Sequence, residues 1–240
     1  DIVDIDTAHQ NNIIVTNIPT YASDAVAQFT FSLLLEVTGQ VGLHNQLVHK
    51  GKWSDGPDFT FWEKPLFELK DKTLGLIGYG HIAQRVAEIA HAFSMTVIFY
   101  NHRPKQVDND WAKQVSFDEL LKHSDVISLH VIQTPETINL INQKTISKMK
   151  NSVIVLNTAR GKLINESDMA DALNHNQVYA LATDVVQTEP IDHNNPLLKA
   201  NNCYITPHIA WAPLETRKRL LDITIENLRS YLENKPVNVI

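Results

Sequence analysis

Three residues suited to keto-acid chemistry sit at matching places in this sequence. Arg160 follows the apolar run Val153–Asn157, in Thr158-Ala159-Arg160-Gly161. Glu189 follows Tyr179–Asp184, in Val185-Val186-Gln187-Thr188-Glu189-Pro190. His208 follows Cys203–Thr206, in Pro207-His208-Ile209-Ala210-Trp211. Each run reads as a strand, so the three residues fall where ligands of parallel sheets bind, just beyond the strand ends. A guanidinium grips a carboxylate and a neighbouring carbonyl oxygen through its planar fork. An imidazole exchanges a proton as hydride reaches a carbonyl carbon, and a carboxylate beside it fixes its orientation. Singly, each residue has an ordinary reading: Arg160 as a cap or surface ion pair, Glu189 as a turn residue before Pro190, His208 as one of 11 histidines. The ordered set favours reduction of a 2-keto acid.

That reaction needs a hydride donor. The apolar stretch Leu74–Ile77 runs into Gly78-Tyr79-Gly80-His81-Ile82-Ala83, with helical periodicity following. Gly78 permits a tight turn, Gly80 lets backbone approach a pyrophosphate, and Ala83 allows close helix–strand packing. The amides at the helix start then face the phosphates. The same glycines also suit a bare strand–helix turn. About 20 residues on, a dinucleotide site usually carries an acid for the ribose hydroxyls. Here the run Thr96–Tyr100 ends in Asn101-His102-Arg103. Loss of the acid removes repulsion toward a 2′-phosphate and Arg103 offers a partner for one, so the reading favours NADP over NAD. With NAD, Asn101 would bond the ribose and Arg103 would be a solvated charge.

The elements that position these residues alternate. Strands are expected at Ile13–Thr16, Thr73–Ile77, Thr96–Tyr100, Val126–His130, Val153–Asn157, Tyr179–Asp184 and Cys203–Thr206, most of them continuous apolar runs. Crossover helices are expected at Ile82–Ala92, Ser116–Lys122 and Glu166–Asn174. Further helices are expected at Ser23–Glu36 and Pro213–Leu232, the latter with Leu220, Ile223, Leu228 and Tyr231 on one side. The pattern predicts an α/β fold with a doubly wound parallel sheet of Rossmann type. His44–Leu69 reads as irregular but carries Trp53, Phe59, Phe61, Trp62 and Phe67. It suits either a loop folded on its own domain or an arm toward a second copy, with the lean toward a dimer contact.

Composition narrows the class. The 240 residues are 43% hydrophobic and 20% charged, with a net charge of −6. That is globular and mildly acidic, which argues against nucleic-acid binding, and no apolar run reaches a membrane-spanning length. Cys203 is the single cysteine, so no disulfide framework exists and a cytoplasmic setting is expected. It reads as a small hydrophobe rather than a nucleophile. The histidines show no metal-ligand spacing, so no metal is expected. The opening residues lack a signal-peptide pattern, and an N-terminal part of the native protein is expected to precede Asp1.

As a set, NIPTYASDAVAQFTFSLLLE, LGLIGYGHIAQ, NTARGKLINESDMADAL, ATDVVQTEP and ITPHIAWAPLETRKRL resemble the D-isomer-specific 2-hydroxyacid dehydrogenases. Within them, VGLHNQLVHKGKWSDGPDF and PHIAWAP are most similar to glycerate dehydrogenases (hydroxypyruvate reductases). The resemblance implies Arg160 as substrate clamp, Glu189 as histidine partner, His208 as acid–base residue and Trp211 in the substrate pocket. It implies a coenzyme bed of Gly78, Tyr79, Gly80, His81, Ile82, Asn101, His102, Arg103, His130, Thr137, Thr158, Ala159, Asp184 and Ala210, with Asp184 near the carboxamide. The substrate would be a small 2-keto or 2-hydroxy acid, and the assembly a homodimer. Residues 1–19 would end a smaller flavodoxin-like substrate domain, 20–208 form the dinucleotide-binding domain with its aromatic arm near 44–69, and 209–240 return to the substrate domain. Corepressors resembling this family leave a nicotinamide-nucleotide sensor as the alternative.

Overall fold

The computed structural model describes residues 3–107 and 109–240. Near the N-terminus lie three helices, α1 (Ile5–Gln10), α2 (Ser23–Gly39) and α3 (Val41–His49). Then β1 (Thr73–Ile77), α4 (His81–Ala92), β2 (Thr96–Tyr100), β3 (Ala112–Gln114), α5 (Phe117–His123) and β4 (Val126–Leu129) form one half of the sheet region. The other half is α6 (Gln143–Ile146), β5 (Val153–Asn157), α7 (Glu166–Asn174), β6 (Val178–Thr183), β7 (Cys203–Ile205) and α8 (Leu214–Leu232). Among the described residues seven strands form one sheet, all parallel, in the order β3-β2-β1-β4-β5-β6-β7. The winding direction reverses between β1 and β4, which opens a crevice at their carboxyl ends.

The continuous apolar strands exist because both sheet faces are covered. Leu74, Leu76, Ile127, Leu129, Val155 and Leu181 are buried completely. One face packs against α2 and α4, where Phe31, Leu34, Val86, Ala87 and Ala90 join Leu74, Leu76 and Phe99. The other packs against α5 and α7, where Leu120, Leu121, Met169 and Leu173 join Ile77, Ile127 and Val155. Local signals fix the helix starts. Ser116 and Glu119 form a capping box on α5, and Asn165 accepts from Asp168 N at the start of α7.

Several expectations need correction. Ile13–Thr16 is not a strand: Ile13 and Ile14 are exposed, and Thr16 makes only an isolated antiparallel bridge to Val239. Strand β3 escaped prediction because it is three residues long and buries only Ala112. The segment expected to be irregular from His44 begins inside helix α3, whose side chains are nowhere fully buried. Its aromatics differ in their settings. Phe67 stacks edge-on to Tyr179 at 4.8 Å, while Phe59 and Trp62 are exposed.

The expected apolar face of α8 holds at Leu220 and Ile223, which are partly buried, and fails at the other two positions. Leu228 and Tyr231 point to solvent, and Thr216, Asn227 and Ser230 are the buried residues. Polar pairing selects that face. Asn227 Nδ2 donates to the Asn17 carbonyl at 2.9 Å and its Oδ1 accepts from Asn238 Nδ2 at 2.8 Å. Among the described residues no single helix is long and apolar enough to cross a membrane; α2 and α3 pass together only as a pair bent by 56°.

Candidate active site and coenzyme cleft

The β1–α4 turn is shaped by its neighbour across the reversal point. Gly78 has φ +91°, and a Cβ there would lie 2.5 Å from the His130 carbonyl at the end of β4. Only glycine meets both demands. Gly80 differs: an added Cβ would meet nothing within 4 Å. Glycine there leaves space open toward a cleft of about 510 Å³ lined by Gly80, His81, Ile82, His130, Thr158, Ala159 and Arg160. The α4 amides open into this cleft, the polarity a pyrophosphate requires. The donor set and the open space thus fit a dinucleotide. The Tyr79 side chain is buried and stacks on Phe99 at 3.8 Å, so its part in the turn is that of backbone.

Beyond β5, Asn157 builds the next turn. Fully buried, it accepts from Ala159 N at 3.0 Å and donates to the Arg160 carbonyl at 2.9 Å. Thr158 meets the Thr30 hydroxyl of α2 at 3.0 Å. Arg160 donates to the Ala159 carbonyl at 2.8 Å and borders the cleft. The following Gly161 lies against the Val186 backbone, where a Cβ would fall 1.9 Å from the carbonyl carbon. This close approach brings the arginine turn against the turn that carries Glu189.

Glu189 and His208 meet: His208 Nδ1 lies 2.7 Å from Glu189 Oε2, and Glu189 Oε1 accepts from Val186 N at 3.1 Å. His208 has φ +55°, a conformation uncommon outside glycine. The surroundings impose it. His208 N donates to the Asp184 carbonyl at 2.8 Å. The buried Asp184 carboxylate accepts from Thr206 Oγ1 at 2.6 Å, Ile209 N at 2.9 Å and Ala210 N at 2.8 Å. Asp184 therefore clamps the backbone on both sides of the histidine. Glu189 and His208 line a second cavity of about 650 Å³, whereas Arg160 lines the cleft at the glycine turn.

Residues 31–210 match the D-isomer specific 2-hydroxyacid dehydrogenase family, NAD binding domain. The chain belongs to that family. A hydroxypyruvate reductase of Blautia hydrogenotrophica is 51% identical over 241 residues, 100% of this chain and 75% of that protein. A glycerate dehydrogenase of Methylorubrum extorquens is 34% identical over 242 residues, again 100% and 75%. The solved structure of an acyclic imino acid reductase in complex with NADPH and D-Arg superposes with a TM-score of 0.88 at 38% identity, covering 100% of this chain and 75% of that one. As a member of this dehydrogenase family, the chain is an oxidoreductase that uses a nicotinamide nucleotide.

Within this dehydrogenase, the anticipated residues cluster on the carboxyl edge of the sheet, in different states. His130 bonds Ser128 Oγ at 2.9 Å, and burial pushes its pKa down to about 4, so the ring is neutral. Thr137 is occupied in closing its own loop, donating to the Ile132 carbonyl at 2.8 Å and accepting from Thr134 N at 2.7 Å. Asn101 donates to the Arg103 carbonyl at 2.9 Å, while His102 and Arg103 are exposed. Ala210 is buried and Trp211 partly exposed. Burial pushes the Cys203 thiol up to about 12, in keeping with an inert side chain. Sequence reasoning missed Thr20, Ser23 and Gln133, which also line the cleft. Ser23 opens α2, so a helix start was the available signal; Thr20 and Gln133 lie in loops without one.

Proposed function

We propose that the enzyme reduces hydroxypyruvate, glyoxylate or a similarly small 2-keto acid to the D-2-hydroxy acid, with NADPH preferred to NADH. The observation that carries this reading is the Glu189–His208 contact, on a histidine held by Asp184. In this reading Arg160 binds the substrate carboxylate and carbonyl oxygen and orients the carbonyl carbon. His208 donates a proton to the carbonyl oxygen through Nε2, its Nδ1 being engaged by Glu189. The two contacts of Glu189 fix the ring plane, so no reorganisation is needed when charge develops. Trp211 borders the substrate side chain and limits its size.

The bed for the nucleotide is Gly78 to Ile82, Thr158, Ala159 and the 101–103 loop, with His130, Thr137, Asp184 and Ala210 at its nicotinamide side. When bound, the nicotinamide supplies the hydride. Exposed Phe59 and Trp62 support a homodimer arm, which light scattering on the purified protein would read.

The decisive experiment follows loss of reduced-nicotinamide absorbance with hydroxypyruvate or glyoxylate, using NADPH and NADH in parallel. Turnover with either acid is expected, faster with NADPH. Coenzyme binding without turnover on any small 2-keto acid would overturn the reading.

A further inference from the structure

The turn that carries the exposed Glu189 rests on a second carboxylate, which the proposed reaction does not use. Glu166, the first residue of α7, is buried. Its Oε1 accepts from Gln187 N at 2.7 Å, and its Oε2 accepts from Asn195 Nδ2 at 2.9 Å. Both donors are held a second time. Gln187 Nε2 donates to the Ile164 carbonyl at 2.7 Å, so residues 164–166 grip Gln187 by its backbone and its side chain. Asn195 is buried, and its Oδ1 accepts from Leu197 N at 3.0 Å, which leaves Nδ2 facing Glu166. Gln187 and Asn195 stand on either side of Glu189 in the chain. Glu166 therefore ties both ends of the segment that carries Glu189 to the start of α7. Within that segment two successive amides meet two carboxylates. Val186 N donates to Glu189 Oε1 at 3.1 Å, and Gln187 N donates to Glu166 Oε1.

We infer that Glu166 is a positioning residue for the Glu189–His208 pair, acting through the Gln187 amide. The inference rests on the reaction proposed above. A partly buried amide that loses its partner is costly and turns to another strong acceptor. Without Glu166, the Gln187 amide has one charged acceptor in its own turn, the Glu189 carboxylate. That carboxylate already serves Val186 N and His208 Nδ1. A third donor draws it from the imidazole, and the ring loses the plane in which it meets a carbonyl oxygen. With Glu166 in place the amide is satisfied, and Glu189 is left to the histidine. The charge of Glu166 contributes as well as its oxygens, because hydrogen bonds to a carboxylate are stronger than those to a neutral acceptor.

The test measures kcat and KM for hydroxypyruvate and glyoxylate, NADPH affinity and melting temperature in the parent and in variants. Glu166→Gln sets an amide nitrogen against Asn195 Nδ2, two donors without an acceptor. Its kcat should fall by about ten- to a hundredfold, the scale for small displacements of catalytic groups, with KM and NADPH affinity within about threefold. Asn195→Asp alone sets two carboxylates face to face and should cost as much, a second reading of the same bond should Glu166→Gln fail to fold. The double variant Glu166→Gln/Asn195→Asp restores the bond with its polarity reversed, and its kcat should return to within about threefold of the parent. In a Glu189→Gln background, Glu166→Gln should cost less than about twofold, because the group it positions is gone. A role confined to holding the fold would cost the same in both backgrounds. A parent that turns over no small 2-keto acid overturns the proposed reaction and this inference together. An active parent, with both single variants within about twofold of it or with Glu166→Gln equally costly in both backgrounds, overturns this inference alone.

Discussion

The two ends of the site are held in different ways. At the β5–β7 end, buried groups do the holding. Asn157 ties the arginine turn, Asp184 accepts three hydrogen bonds around His208, and Glu166 accepts from Gln187 N at 2.7 Å and Asn195 Nδ2 at 2.9 Å. At the β2 end, the 101–105 loop is exposed at residues 102–104 and depends largely on one half-buried glutamine from an edge strand, Gln114. Proton transfer needs atoms placed to a fraction of an ångström, and buried hydrogen bonds to charged groups provide that rigidity. Choice between two coenzymes needs only a difference in charge, which long side chains at a surface supply. On the function proposed above, the difference implies that substitutions in the 101–105 loop should leave the geometry around His208 unchanged.

The largest effect should come from His208→Asn. Asparagine tolerates the positive φ that the Asp184 clamp imposes, so the backbone should stay in place. Turnover should fall by roughly 10²–10⁴, the range for loss of a general acid–base group, with NADPH affinity within about twofold. Steady-state kinetics with a fluorescence titration reads both. Turnover within about tenfold of the parent would remove His208 from the chemistry.

Next comes Gly161→Ala. A methyl group 1.9 Å from the Val186 carbonyl carbon has no room, and both partners are backbone. Destabilisation of at least about 3 kcal/mol is expected, from backbone displacement in a packed region. Thermal denaturation measures it, and an unchanged midpoint would show that the two turns are not held together as described.

A smaller effect separates the ends by pH. The neutral His130 ring has a pKa of about 4 in the fold against 6.5 ordinarily. Below pH 6.5 the unfolded chain takes up this proton first. The stability tied to the neutral ring is therefore complete above about pH 6.5 and is lost progressively toward pH 4. At about 1.4 kcal/mol per unit the loss approaches about 3 kcal/mol, less whatever solvent in the cleft recovers for the charged ring. Urea titrations across this window should show a flatter pH profile for His130→Gln than for the parent. Identical slopes would mean that the ring is solvated.

The sequence disclosed the buried half of this architecture best. Strands β1, β2, β4, β5 and β6 announced themselves because burial on both faces demands unbroken apolar runs. The helix starts at Ser116 and Asn165 obey capping chemistry that a short window contains. Ile13–Thr16 misled because its β-branched run reads like a strand, while its pairing is limited to a single bridge with Val239 and it joins no sheet. Leu228 and Tyr231 of α8 misled because the buried face also carries Asn227, whose side-chain bonds to Asn17 and Asn238 leave no local pattern. Arg160, Glu189 and His208 were legible as strand-end residues. The Asp184 clamp and the Gln114 brace were not, since each joins residues distant in the chain through contacts that leave no local pattern.

The finest test of the comparison is a substitution that should cost no stability. At Gly80 the backbone has φ −81° and ψ −170°, extended values that any residue adopts, and an added Cβ touches nothing. Gly80→Ala should therefore raise the melting temperature by about 1–4 °C, since neither strain nor overlap arises and the unfolded chain loses conformational freedom. The new methyl group occupies the space through which the α4 amides would reach a pyrophosphate, so affinity for NADPH and NADH should fall together, by about tenfold or more. Equal loss on both coenzymes would mark the turn as the half of the nucleotide site that serves both, in contrast to the preference proposed for the loop after β2. Binding unchanged for both would mean that the space at Gly80 is not where the phosphates lie.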